Sequence, residues 1–531
     1  MEFAGIFFGP LAATFFIAVT TLFLLIWHSI RSHQYWKKRN VPYAKPLPLL
    51  GNMLQIIFDP QHLVEEKRYK ALGRIYGHYE GNRPALSVAD PEILRDVFVK
   101  DFPQFSNRRT FLSGEEVMDK MVSNLEGEEW KRVRTILTPT FTTGKLKRMI
   151  GIFKECSMTL VQNFKLSAEK KEPVNMKKLY GTMAMDVIAS AAFSTKIESH
   201  SNPENKFVQM AKKAFGTDVS WRFALFILSP SIMRFFKISP FVPSVVDFFQ
   251  NATTSIIQER KRLGQNRNDF LQLLIDTANE VAKQEEGNEK DEDLANNYGQ
   301  EVASQKVYLN SVTKNLSMDE LVAQCVLFFM AGYDTTASTL SFTTYFLALN
   351  PDVQEKARRE IHQCLKETNG ELTYDAIQNM KYLDNVISET LRHCPPASRL
   401  ERKAETDYEL GNTGITLKKG MMVTVPIYAM HKDPQNFPDP EKFDPDRFTA
   451  EERAKRNPYV YMPFGAGPRN CVGMRFALLE VKVCLIHVIT HFNIKTCPKT
   501  TIPLKFYPGV ALLQPKDIFL QMEPRSDSPI N

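Results

Sequence analysis

The segment from Ser317 to Asn350 constrains the fold more than any other stretch of this chain. Ser317 followed by Glu320 has the spacing of a capping box, and a helical pattern runs unbroken from there to Asn350-Pro351, where the proline stops it. Roughly 33 residues at 1.5 Å each make a rod of about 50 Å, long enough to cross a domain. Cys325 to Met330 is apolar on every side, which suits a buried core helix or a membrane span. The text Ala331-Gly332-Tyr333-Asp334-Thr335-Thr336 speaks for the core. A carboxylate there is costly without partners, and hydroxyls can bond back to helix carbonyls and bend the rod. The small Ala331 and Gly332 leave room for a ligand against the helix.

A second segment ends in chemistry. Phe464-Gly465-Ala466-Gly467-Pro468-Arg469-Asn470-Cys471-Val472-Gly473 is a glycine-loosened loop that delivers one cysteine to the start of the apolar segment Met474 to Lys482, which reads as a helix. Amide groups at a helix N-terminus favour thiolate over thiol. A thiolate facing a flat cavity is the kind of soft axial ligand that haem iron accepts. Taken alone, the loop fits a buried, inert cysteine at least as well.

The N-terminal region predicts a membrane anchor. Phe3 to Trp27 carries no charge, while Arg31, Lys37, Lys38 and Arg39 follow it, an order that holds the rest of the chain on the cytoplasmic side. A cleaved signal peptide would want the charge order reversed and a shorter apolar core. Residues 28–52 read as a basic, proline-rich linker, and 53–525 as the catalytic domain. The net charge of +7 over 531 residues does not suggest a nucleic-acid partner. Seven scattered cysteines without a CxxC pair argue against a disulfide framework or a zinc site and for a reducing compartment.

Between these landmarks, Glu128 and Glu129 open a helix on which Trp130 and Arg134 share a face, able to donate together to a carboxylate. Glu389 and Arg392 are also helical partners, one turn apart. Arg83 to Val88 and Met421 to Pro426 read as strands. Residues 205–250 are rich in aromatics, which suits packing and, second to that, an apolar access region. Residues 281–316 are polar and predict a solvated loop.

In order, Trp130-x-x-x-Arg134, Ala331-Gly332-x-Asp334-Thr335, Glu389-x-x-Arg392 with Pro445-x-Arg447-Phe448, and Phe464-x-x-Gly467-x-Arg469-x-Cys471-x-Gly473 resemble the cytochrome P450 haem-thiolate monooxygenases along the whole chain. Phe105-Ser106-Asn107-Arg108-Arg109, Pro139 to Lys147 and Arg399-Leu400-Glu401-Arg402 are similar to the microsomal 3A subfamily and its invertebrate relatives. The resemblance implies a mainly α fold with a small β region, a long central helix over haem b, and one N-terminal transmembrane helix. It implies Cys471 as the iron ligand and Asp334 with Thr335 as an acid-alcohol proton relay. Arg108, Trp130, Arg134, Arg402 and Arg469 are implied as anchors of the haem propionates, and Ala331 and Phe464 as further haem contacts. Glu389, Arg392 and Arg447 are implied as a buried structural triad.

Substrate contacts are expected from Phe111, Ser123, Phe215, Phe328, Ala397, Ser398 and Leu512. Expected partners are an NADPH-dependent flavoprotein reductase, whose flavins this chain does not bind, cytochrome b5, the endoplasmic-reticulum bilayer and lipophilic substrates, among them xenobiotics and steroids. Lys131, Arg132, Lys145, Lys147 and Arg148 are candidates to meet an acidic reductase surface. The resemblance also marks departures: close relatives carry glutamate where this chain has Asp334, and the 281–316 stretch is longer than theirs. A peroxide-rearranging isomerase or dehydratase, and a non-catalytic haem sensor, are the rival readings, and the intact Asp334-Thr335 pair speaks against both. A cysteine hydrolase would need a histidine-acid arrangement near Cys471, which the sequence lacks.

Overall fold

A computed structural model describes residues 10–110, 116–197, 199, 205–214, 233, 236, 243–264, 269–272, 274, 316–509 and 512–528. Phe111, Phe215, most of the aromatic segment, most of the 281–316 stretch and the start of the anchor lie outside the described residues.

Helix α1 (Pro10–Ser32) is long and apolar enough to cross a membrane, and its Phe15, Phe16, Phe23 and Leu24 face outward. The chain after it folds back onto the hairpin of β1 (Ile75–Glu80) and β2 (Arg83–Val88). Trp36 is fully buried there and its indole N–H donates to His78 O at 3.2 Å. The ring lies flat on Gly77, where an added Cβ would stand 2.4 Å from it. Ser29 Oγ donates to Asn82 Oδ1 at 2.6 Å, and Tyr79 Oη donates to His33 O at 2.8 Å. Gly77 exchanges backbone bonds with Pro42 and Ala44. Residues 29–52, basic and proline-rich, are thus packed into the sheet. Charge and proline content do not reveal this, because the contacts that hold the segment are made some forty residues away.

The helical part follows: α2 (Gly127–Leu137), α3 (Thr143–Glu169), the short strand β3 (Val174–Asn175), α4 (Met176–Phe193), α5 (Pro243–Leu263), α6 (Met318–Leu349), α7 (Pro351–Glu367) and α8 (Lys381–His393). Strands β4 (Leu400–Lys403), β5 (Tyr408–Glu409), β6 (Thr416–Leu417) and β7 (Met422–Val425) come next, then α9 (Met474–His491), β8 (Phe492–Lys495) and β9 (Phe519–Pro524). The first sheet runs β1-β2-β7-β4, with β2 and β7 parallel. A second sheet, β3-β9-β8, ties the C-terminus to the start of α4.

Helix α6 is the expected rod. Ser317 Oγ accepts from Glu320 N at 3.2 Å while the Glu320 carboxylate accepts from Ser317 N at 2.8 Å, closing the capping box. Hydroxyls along the helix do bond backward, Thr335 to Ala331 O at 2.7 Å and Thr343 to Thr339 O at 2.8 Å, and the helix runs through without interruption. It crosses the middle of a large apolar core with α4, α5, α8 and α9 packed against it. A second core lies under the β1-β2-β7-β4 sheet, centred on Trp36, Tyr76, Tyr79, Phe98 and Phe105. The cysteine loop sits where the two cores meet.

Candidate active site

The loop that carries Cys471 has its shape set by two glycines with left-handed backbone, Gly465 (φ 76°) and Gly467 (φ 69°). At Gly467 the reason is also steric: a Cβ would lie 1.9 Å from Phe98 O. Gly465 N donates to Met462 O at 3.0 Å, Asn470 N to Gly467 O at 3.1 Å and Cys471 N to Phe464 O at 2.9 Å. The loop therefore closes on itself and places Cys471 three residues before α9. Cys471 is exposed in part to a cavity of about 360 Å³ that it lines. Burial pushes its thiol above the ordinary value, outweighing the Gly473 amide and the guanidinium groups of Arg134 and Arg108. The Gly473 amide at the start of α9 pulls the other way, as its position at a helix N-terminus leads one to expect. A bound metal cation would supply the missing charge.

Above the sulfur the cavity is roofed by α6, with Ala331, Gly332, Thr335, Thr336 and Thr339 on its wall, and is otherwise lined largely by Phe141, Ile188, Phe270, Leu327 and Phe328. The space beside Gly332 is shared with Ile188, whose Cδ1 would stand 2.8 Å from an added Cβ. Ser123, Phe328, Ala397 and Phe464 line this cavity. Ser398 and Leu512 do not; they line a second, much smaller cavity with His62, Tyr507 and Gln514. Asp334 does not line the main cavity either. Its neighbour Thr335 does, and consecutive helical residues diverge by about 100°.

At one edge of the cavity the structure gathers positive charge. Arg108, Arg134 and Arg469 line it beside Trp130, and Arg402 stands just behind, over the ring of Phe98 at 4.5 Å. Among the described residues none of the four has an acidic partner; their donors reach neutral groups. Arg134 holds Asn470 O at 2.9 Å and Asn470 Oδ1 at 2.6 Å. Arg469 holds Ser106 O at 2.8 Å and Leu125 O at 2.6 Å, and stacks over Trp130 at 4.9 Å. Arg108 holds Arg469 O at 2.5 Å and Arg402 its neighbour Glu401 O at 2.9 Å. Burial, with the repulsion of the other guanidinium groups, pulls Arg469 down to about 9 and Arg134 to about 10, and Arg402 well below its ordinary value. Glu126 and Glu405 attract Arg469 and Glu401 attracts Arg108 from beyond pairing distance, and crowded cations without a direct anionic partner are an expensive arrangement that a dianionic ligand relieves. The two carboxylates of a haem fit it, beside a soft sulfur ligand and apolar walls.

Two networks brace the site from behind. Glu389 accepts from Arg392 Nε at 2.7 Å, Arg392 Nη2 at 2.9 Å and Asp444 N at 2.8 Å, and both side chains are fully buried. Arg447 stands further off, its Nε 3.6 Å from Glu389. Arg392 also donates to His431 O at 2.9 Å, and His431 Nε2 accepts from Met462 N at 3.4 Å, a link into the cysteine loop. The second network was not anticipated. Arg109 pairs with Glu80 at 2.7 Å and Glu401 at 2.8 Å, while Arg399 reaches Glu80 at 2.7 Å, Glu401 at 3.0 Å and Glu65 at 3.3 Å. It fixes β4, which carries Arg402, to β1. The motifs at 105–109 and 399–402 carry three of its members, Arg109, Arg399 and Glu401, while Glu65 and Glu80 come from distant segments that spacing does not connect to them.

Of the basic residues on the sulfur side, Lys131 lies 3.7 Å from Glu128, Lys147 lies 3.8 Å from Asp375, and Arg132 pairs with Glu320.

A long helix over an internal cavity, a cysteine loop below it and a buried arginine edge define a haem-binding enzyme. The family model for cytochrome P450 matches residues 41–522, and the chain belongs to that family. It is 38% identical to rat (Rattus norvegicus) cytochrome P450 3A9 over 524 residues, 97% of each chain. It is 40% identical to mouse (Mus musculus) cytochrome P450 3A25 over 518 residues and to human (Homo sapiens) cytochrome P450 3A5 over 522, in both cases 96% of this chain and 97% of the relative. The protein is a haem monooxygenase of the 3A type.

Proposed function

We propose that this enzyme inserts one oxygen atom of O2 into bulky lipophilic substrates, using electrons that an NADPH-dependent flavoprotein reductase delivers, with cytochrome b5 as a second donor. The observation that carries the site assignment is the cluster of four arginines, Arg108, Arg134 and Arg469 on the edge of the cavity that Cys471 lines and Arg402 just behind it, none of them in an ion pair among the described residues. Cys471 holds the iron, and Arg108, Arg134, Arg402 and Arg469 hold the propionates. Haem supplies the dioxygen chemistry. The chain's own part is binding, exclusion of water and proton delivery. The apolar wall favours a lipophilic substrate and keeps the site dry. Thr335 presents a hydroxyl to the cavity, and Asp334 stands behind it as the acid that recharges that hydroxyl. Glu389, Arg392 and Arg447 hold the supporting loops.

Helix α1 anchors the enzyme in the endoplasmic-reticulum membrane with the catalytic domain on the cytoplasmic side. Its rigid seat on the β1-β2 hairpin supports a fixed angle between anchor and domain.

Purified enzyme reconstituted with reductase and NADPH should convert lipophilic compounds that perturb its ferric spectrum, only when O2 is present. Conversion of an organic peroxide without reductase or O2 would favour the isomerase reading. The reduced carbon monoxide adduct should show a thiolate signature that Cys471→Ser abolishes; its survival would refute the ligand assignment.

A further inference from the structure

Between Glu320 and Tyr333, α6 carries a single amide side chain, Gln324, among apolar residues, a glycine and a cysteine. It is fully buried. An amide in that setting needs a reason, because its polar groups are costly to bury unpaired. Gln324 stands on the stripe of Phe328, Ala331 and Thr335, which recur at helical spacing after it and line the cavity. The amide is used in full. Its Oε1 accepts from Val122 N at 2.9 Å, while Nε2 donates to Lys120 O at 2.8 Å and to Glu320 O at 3.0 Å. Turned over, it would set N–H against the Val122 N–H and oxygen against two carbonyl oxygens, so its partners fix its orientation.

The stretch it holds is cavity wall: Val122 and Ser123 both line the space. Residues 116–125 close on themselves, with Asn124 Nδ2 donating to Met118 O at 2.8 Å and Leu125 N to Met121 O at 3.0 Å. Arg469 holds one end of this turn, donating to Ser123 O at 3.2 Å and to Leu125 O at 2.6 Å. Gln324 holds the other end. Lys120 also meets Asp319 at 2.9 Å, but that pair is exposed and contributes little.

We infer that Gln324 is a specificity-determining residue, whose amide latches the wall at Val122 and Ser123 and so sets which bulky ligands enter and how they lie. The inference rests on the reading of this cavity as the haem and substrate site. Gln324 does not itself line the cavity and acts through the two residues that do, as a positioning residue. Because Arg469 keeps its end of the turn, breaking the latch should loosen the wall and leave the haem edge in place. A bond that served stability alone would move the unfolding midpoint. A latch also moves the difference between a bulky ligand and a small one.

The test uses the full-length, haem-loaded ferric enzyme and two azoles whose binding to haem iron shifts its spectrum, imidazole as the small probe and clotrimazole as the bulky one. Gln324→Leu is similar in size and removes every bond. Gln324→Glu keeps the shape and an acceptor for Val122 N, but sets a carboxylate oxygen against the carbonyls of Lys120 and Glu320. Both variants should keep the wild-type carbon monoxide spectrum and the wild-type rate of imidazole binding. Clotrimazole should associate and dissociate roughly three- to tenfold faster in both, the factor that loss of one ordinary hydrogen bond supplies. Hydrogen–deuterium exchange of peptides from residues 116–125, read by mass spectrometry without any azole, should quicken by a similar factor in Gln324→Leu. Clotrimazole rates equal to wild type in both variants, or the same change for both azoles, would overturn the inference. Loss of the carbon monoxide spectrum in both variants would overturn it too, by making Gln324 a folding residue. A wild-type enzyme that gives no spectral shift with either azole would instead refute the haem site on which the inference rests.

Discussion

Replacing Glu389 with glutamine removes one charge from the most completely buried ion pair in the described structure. The carboxylate accepts three bonds of 2.7, 2.9 and 2.8 Å, two from Arg392 and one from Asp444 N. Burial alone would raise its pKa, yet the bonds from Arg392 hold it down at about 2. Set against an ordinary value near 4.3, that depression is worth about 3 kcal/mol. Breaking a buried pair from one side costs about 3–5 kcal/mol. Arg392 keeps the carbonyls of His431, Pro440 and Lys442, so the lower end applies. With a urea slope near 3 kcal/mol per M, Glu389→Gln should lower the unfolding midpoint by about 1 M. Arg447→Met, which removes the contact at 3.6 Å and the bond from Arg447 Nη2 to Asp439 O at 2.9 Å, should cost about 1–2 kcal/mol, less than the loss of the Glu389–Arg392 pair.

The pH dependence has a definite sign. A carboxylate depressed in the folded state contributes its full stability above about pH 4.3 and loses it as the pH falls toward 2. Wild type should therefore lose more stability across that window than Glu389→Gln does. Urea titrations followed by circular dichroism at several pH values read both effects. A midpoint for Glu389→Gln within about 0.3 M of wild type, or an Arg447→Met loss as large, would refute the view that the Glu389–Arg392 pair carries the network.

Three further outcomes follow from the geometry. Gly467→Ala puts a Cβ 1.9 Å from Phe98 O at a φ of 69°, so it should displace the cysteine loop and abolish the thiolate signature of the carbon monoxide adduct. Arg469→Leu should reverse sign with ligand state: haem-free protein should be as stable as wild type or more so, having lost one of four crowded cations, while haem should transfer faster to apomyoglobin. Gly77→Val should expel Trp36 from its seat and expose residues 28–52 to limited proteolysis, leaving the haem spectrum unchanged.

How much could be read without coordinates varied with the range of the forces involved. The rod at 317–350 was legible to within a residue, because a capping box and a proline stop are local chemistry. The loop that presents Cys471 and the helix after it were equally legible, since glycine is cheap at positive φ wherever it occurs. The triad was legible only in part: the helical spacing of Glu389 and Arg392 was plain, but their hold on the segment through His431 and Met462 was not.

Pattern and spacing thus determined the long helix and the glycine-shaped cysteine loop, and the family resemblance carried by the ordered motifs implied the fold class, the role of the cysteine and the arginine set. Tertiary structure alone decided which way Asp334 points, that four arginines share a space without forming an ion pair among the described residues, that Glu65, Glu80 and Glu401 pair with a second set, and that the chain after the anchor is locked to a hairpin. Each of those depends on groups far apart in the chain that meet in a medium of low dielectric. There, charge is decided by neighbours, and neighbours are set by packing.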